Sequence, residues 1–222
     1  MNKLHNWRDI GAAGGFTTRE TGRLLGVPPG VLGKWLRGKH PLIQPDYEPI
    51  NGSLTLSFDA LVEARAINHF LAEGYDPARL RKILAELRTR HNTDHPLAAD
   101  RKLVTNGFQL LEVTDDGRLV NLANEVYAHT DLMKPSLVGR VVFEAGKARY
   151  FLPDPTHAPL VRVDPRLALG RPVVFKAGMR VVETSALAAT AEDEGAEEAA
   201  EWFGVPLEAA VQALRFERHL GA

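Results

Sequence analysis

The chain has 222 residues, 45% hydrophobic and 25% charged, with a net charge of −1 and no cysteine. That composition excludes collagen-like, low-complexity and wholly disordered chains, and the missing cysteines exclude disulfides, Cys-ligated zinc, iron–sulfur clusters and a thiolate nucleophile. The small net charge hides a gradient: residues 1–40 carry seven Lys/Arg against two Asp/Glu, whereas residues 161–222 carry seven against ten, so only the head is suited to face phosphates.

Residues 1–14 read as a flexible lead-in. The run Gly11-Ala12-Ala13-Gly14-Gly15 precedes a helix but lacks the lysine of a phosphate loop. Thr17 or Thr18 then offers a helix N-cap, and Glu20 stands at capping-box spacing from Thr17. Gly26 stops this helix, and Val27-Pro28-Pro29 turns the chain into a second one. Pro29 suits a first helical turn because its missing N–H has no intrahelical partner there. Val31, Leu32, Trp35 and Leu36 give the second helix an apolar stripe, and Gly38 ends it. Two such helices joined by a tight turn make a helix-turn-helix unit.

Pro41, Pro45 and Pro49 break any helix over residues 39–56. Asn51-Gly52 between Tyr47–Ile50 and Leu54–Leu56 predicts a β-hairpin, since both residues tolerate positive φ. Ser57 caps a third helix that ends near Gly74, and Asp76-Pro77 opens a fourth carrying Leu80, Ile83, Leu84 and Leu87. Two further hairpins are expected, 108–113 with 119–122 and 141–144 with 148–152. The segment between them reads as a short helix or irregular crossover. Pro153–His157 reads as a linker. Short extended segments at 161–163 and 173–175 precede helices near 183–194, 196–203 and 206–219, separated by Gly195 and Gly204. No internal repeat is evident.

Four fragments carry a resemblance: Thr-Thr-Arg-Glu…Leu-Leu-Gly-Val-Pro-Pro…Trp-Leu-Arg, the hairpin, Leu-Ser-Phe-Asp-Ala-Leu-Val-Glu, and Glu-Gly-Tyr-Asp-Pro-Ala-Arg-Leu-Arg-Lys-Ile. Together they make residues 16–90 similar to the winged helix-turn-helix of MerR-type regulators. Residues 160–220 resemble a small domain marked by Asp164, Pro165, Gly170, Pro172 and Val173, then Gly178, Arg180 and Val181, then three short helices. A chain combining the two resembles VapB-type antitoxins. That resemblance implies a homodimer that binds operator DNA, represses its own operon and neutralises a PIN-like ribonuclease toxin. The expected architecture is α+β: the lead-in, a winged helix-turn-helix over 15–100, a hairpin-rich middle over 101–158 and a small helical domain over 159–222.

A helix-turn-helix lays its second helix in the major groove and holds phosphates at its flanks. Thr17 and Thr18 are placed to hold a phosphate at the first helix N-terminus. Arg19, Lys34, Arg37 and Lys39 supply charge, and Trp35 packs inward. Gly30, Val31 and Gly33 stand where base-reading side chains are expected, and glycine has neither donor nor acceptor to offer.

His91-x-x-x-His95 has zinc-compatible spacing, but Asn92-Thr93-Asp94 and Pro96 favour a capped helix end. Asp115-Asp116-Gly117 reads as a hairpin turn. Asp154-Pro155-Thr156-His157 has no nucleophile or base at catalytic spacing. No catalytic residue, metal or cofactor is therefore expected, and the chain is expected to act by binding. No apolar run approaches the ~20 residues of a membrane span, and Met1–Asp9 lacks a signal-peptide core; a cytoplasmic location is expected. Three alternatives remain: a MerR-like regulator sensing a small molecule, an enzyme whose active site the sequence does not reveal, and an interaction protein with a degenerate helix-turn-helix.

Overall fold

The computed structural model describes residues 13–49, 52–99 and 140–221, and between them the backbone of four short strands. The fold is α+β, with seven α-helices and small antiparallel sheets among the described residues.

Strand β1 (Phe16–Thr17) leads into α1 (Thr18–Leu25). Gly26 adopts the left-handed conformation (φ 66°) that ends α1, and Pro29 opens α2 (Pro29–Trp35). Helix α3 (Phe58–Ala72) starts at Ser57, whose hydroxyl accepts from the Ala60 N–H, and α4 (Pro77–His91) starts at Asp76, which accepts from the Arg79 N–H. These starts follow the sequence signals, because a short polar side chain satisfies an amide that the helix itself leaves unpaired.

The strand after the Asn-Gly turn differs from expectation. Strand β2 (Thr55–Leu56) pairs antiparallel with β1, placing Leu56 opposite Phe16. Tyr47 and Ser53 form isolated bridges, and Ile50 and Asn51 lie outside the described residues. Both Phe16 and Leu56 are buried, so this pairing puts two apolar side chains into the core from segments far apart in sequence.

The middle region contributes a four-stranded antiparallel sheet in the order β5-β4-β3-β6, built from β3 (Leu103–Thr105), β4 (Leu110–Val113), β5 (Leu119–Asn121) and β6 (Lys134–Pro135). The expected first hairpin corresponds to β4 and β5, with Val113 opposite Leu119. The remainder of the expected crossover at 123–137, and the Asp115-Asp116-Gly117 turn, lie outside the described residues. The second hairpin is β7 (Val141–Glu144) and β8 (Lys147–Phe151), turning at Ala145 and Gly146, both at positive φ.

Pro153–His157 is a packed turn where a linker was expected. Asp154 accepts the His157 N–H, its carbonyl accepts the Ala158 N–H, and Pro153 is buried. Phe151 and Val163 exchange both backbone hydrogen bonds across it (2.9 and 2.8 Å). Beyond the turn, β9 (Val161–Arg162), β10 (Val173–Val174) and β11 (Val182–Glu183) form an antiparallel sheet, followed by α5 (Thr184–Asp193), α6 (Ala196–Phe203) and α7 (Leu207–Gly221).

Two apolar clusters result. One gathers Phe16, Leu32, Trp35, the inner faces of α3 and α4, Phe151 and Val163. The other gathers Val161, Val174 and the small residues of α5, α6 and α7. Leu24 packs against both.

One helix–turn–helix backbone pattern occurs twice. Helices α1 and α6 each have eight residues and end on a left-handed glycine, Gly26 (φ 66°) and Gly204 (φ 64°). A buried valine follows each glycine and donates back into its helix, Val27 to the Gly22 carbonyl (2.9 Å) and Val205 to the Ala200 carbonyl (3.0 Å). A proline follows, and its carbonyl accepts three residues on, from Val31 and from Ala209, at 2.9 Å in both cases. This is the Schellman closure with its apolar plug, made with the same residue order each time.

Candidate nucleic-acid interface

The capping box at α1 is formed. The Thr17 hydroxyl accepts from the Glu20 N–H (3.2 Å), while the Thr17 N–H and hydroxyl both donate to Glu20 Oε2 at 2.8 Å. The Thr18 N–H donates to the Leu54 carbonyl (3.3 Å). This helix end borders a cleft of about 690 Å³ whose far wall includes Gly170, Arg171, Glu183 and Glu217. The Thr17 N–H and hydroxyl and the Thr18 N–H are thus engaged, and the Glu20 carboxylate stands beside this helix end.

Arg19, Lys34, Arg37 and Lys39 are all exposed, and none has an ion-pair partner among the described residues. Lys34, Arg37 and Lys39 fall within six residues at the C-terminal end of α2. Trp35 is buried beneath them, as expected. Gly30 is exposed with open space around it, whereas Gly33, placed by the sequence on the reading face, is buried. A Cβ at Gly33 would stand 3.2 Å from Nη1 of Arg37. The missing side chain lets the Arg37 guanidinium lie back over the helix.

Behind this surface is a charged row that the sequence did not reveal. His95 Nε2 lies 2.7 Å from Asp46 Oδ1, and Nδ1 lies 3.0 Å from Glu63 Oε2. Arg88 donates to the same Glu63 oxygen (3.2 Å), to the Leu42 carbonyl (2.6 Å) and to the Asp94 carbonyl (2.9 Å). Burial alone would push His95 down; hydrogen bonds and charge from Asp46 and Glu63 outweigh it and raise its pKa to about 10. Burial likewise raises Asp46, but the hydrogen bond and charge of His95 bring it below the usual carboxylate value. The row thus balances two carboxylates against an imidazolium and a guanidinium, the arrangement a buried charge requires.

This row fixes the loop that follows α2. Arg88 holds Leu42, Ile43 donates to the Trp35 carbonyl (3.1 Å), and Asp46 accepts from the Ser57 N–H (3.4 Å). It also answers the His91–His95 spacing: His91 ends α4, and both ring nitrogens of His95 face carboxylates. An imidazolium has no lone pair to give a metal. Among the described residues no group of three His, Cys, Asp or Glu is placed to hold one. The clue in sequence is Glu63, fully buried among Ala60, Leu61, Ala64 and Ile67 of α3.

The tail signature residues build a joint. Asp164, fully buried, accepts from Arg149 Nη1 (2.8 and 3.0 Å) and from the backbone and Nε of Arg166. Gly170, at φ 88°, faces the Phe16 ring, which a Cβ there would meet at 2.6 Å. A second cleft, of about 540 Å³, opens beside the joint between Asp46, Asp59, His95, Lys147, Arg149 and Arg166.

No protein-family model matches the chain, and no curated protein matches it. Its fold is similar to the crystal structure of Rv2018 from Mycobacterium tuberculosis, with a TM-score of 0.63 and 22% identity over 90% of this chain and 96% of that one. That likeness is one of fold. No described helix is long and apolar enough to cross a membrane.

Proposed function

We propose that the chain is the antitoxin of a toxin–antitoxin pair, a cytoplasmic homodimer whose head binds operator DNA and whose tail occupies a PIN-like ribonuclease. In this reading α1 and α2 are the helix-turn-helix, with the segment around Gly52 as its wing. The observation that carries the DNA half is the set of exposed cations Arg19, Lys34, Arg37 and Lys39, none ion-paired among the described residues. Such charges bind phosphates by releasing counterions, which gives affinity without base reading and accommodates a helix with glycine at position 30. The buried position of Gly33 supports this over a degenerate unit, because the residue makes room for Arg37. The acidic tail, with its own apolar cluster, supports a second partner that is not nucleic acid.

Replacing Lys34 and Arg37 together by Ala should weaken binding to the upstream promoter fragment by about 10–100-fold at moderate salt and flatten its salt dependence. Binding of the nuclease should be unchanged. Loss of both activities from a folded double variant would contradict the division. The cleft of about 540 Å³ favours the rival, a small-molecule-sensing regulator, and a ligand retained there through purification would support it.

A further inference from the structure

The repeated backbone pattern allows the two units to be compared position by position. Arg23 and Leu24 near the end of α1 correspond to Glu201 and Trp202 near the end of α6. In the head this face is bordered by a helix of the same chain, with Arg23 half exposed and Leu24 partly buried. Arg23 Nη2 pairs with Glu217 of α7 (3.7 Å), its Nε donates to the Leu220 carbonyl (3.3 Å), and Leu24 packs against the tail's apolar cluster. In the tail the matching face is open. Trp202 is 77% exposed, the most exposed large apolar side chain described, and Leu207 and Val211 beyond the turn are 44% and 39% exposed.

Two features make that exposure informative. Leu207 and Val211 are one helical turn apart and so share a face of α7. Glu198 and Glu201 lie one turn and one residue before Trp202, and Glu208 follows Leu207, so carboxylates flank the apolar residues. An indole is costly to leave in water, and exposed Trp within a polar rim is the composition of an interface hot spot.

We propose that Glu201, Trp202, Leu207 and Val211 form the surface on which the nuclease docks, through a helix carrying a Lys or Arg about one turn before an apolar side chain. The proposal rests on the antitoxin reading for its partner; the docking mode follows the head, where Glu217 of α7 pairs with Arg23, the Leu220 carbonyl accepts from Arg23 Nε, and Leu24 and Leu220 both pack against the tail's apolar cluster. The charges are exchanged. A basic station bordered by an acid-bearing helix in the head becomes an acidic station for a base-bearing helix in the tail. Complementary charge then selects the partner's helix and rejects nucleic acid.

The test uses the full chain and the purified product of the adjacent reading frame, with affinity measured by calorimetry. Trp202→Ala should weaken the complex about 30–100-fold. Trp202→Phe should restore most of the affinity, and Glu201→Lys should weaken binding most at low salt. Promoter binding and thermal midpoint should stay as in the native chain, since the side chains lie outside both apolar clusters. Native affinity in Trp202→Ala and Glu201→Lys would overturn the docking surface while leaving the antitoxin reading intact. A native chain with no affinity for the nuclease would overturn both. Self-association abolished by Trp202→Ala would assign the face to a second copy and overturn the choice of partner.

Discussion

The head and tail close their helix pairs with the same glycine–valine–proline turn, yet surround it with different chemistry. In the head, large side chains such as Trp35, Leu32 and Phe70 form the core, and the row Asp46–His95–Glu63–Arg88 runs behind it. In the tail the helices meet through Ala191, Ala199, Ala209, Ala210 and Ala213. The head exposes cations at its helix ends, and the tail exposes carboxylates and an indole. The turn therefore sets the geometry of two helices, while the outward residues determine what that geometry meets.

The largest effect is expected on removing the charge row behind the head's core. His95→Ala leaves Glu63 with Arg88 and takes from Asp46 its imidazolium partner, and should cost about 3–5 kcal/mol in denaturant unfolding. The pH dependence has a definite sign. His95 is held above its ordinary 6.5, at about 10, so its contribution is complete below about 6.5 and lost as pH rises through about 10. Asp46, held below its ordinary value, contributes above that value and ceases to as pH falls through its folded pKa. The native chain should lose thermal midpoint between pH 7 and 10, and His95→Ala should be flat there. Parallel pH profiles would show that His95 carries no buried charge.

What the sequence made legible was local. Thr17 with Glu20, Ser57, Asp76, Gly26 and Gly204 each announce a helix end through hydrogen bonds spanning a few residues. The pairing of Phe16–Thr17 with Thr55–Leu56 was not legible, because two-residue strands carry no period. The charge row joins residues 46, 63, 88 and 95 through tertiary contact alone. The linker expected at Pro153–His157 rested on turn-forming residues, which mark a change of direction but say nothing of the Phe151–Val163 bonds that bind both sides together. The shared turn pattern was not legible because Arg23, Leu24 and Gly22 stand where the tail has Glu201, Trp202 and Ala200; only the turn and its burial pattern are alike. Among the proposed DNA contacts, the cations were legible as charge and the Thr17 cap as a spacing, whereas the burial of Gly33 beside Arg37 was not.

A finer comparison comes from the glycines of the two turns. Gly26→Ala and Gly204→Ala should each cost about 1–2 kcal/mol, because both sit in left-handed backbone with no neighbour near the added methyl. Gly22→Ala should cost more than either, since its Cβ would approach the Val27 carbonyl to 2.5 Å. Unequal losses at Gly26 and Gly204, read by chemical denaturation, would mean that the turns are alike in outline only.

The central claim is that a basic unit for DNA and an acidic unit for a nuclease share one chain. The most direct measurement is co-expression of the native chain with the product of the adjacent reading frame, followed by purification and assay of RNA cleavage. The expected result is a stable complex that is silent toward RNA and becomes active when this chain is removed. An adjacent product that purifies alone and cleaves RNA equally well with or without this chain would contradict it.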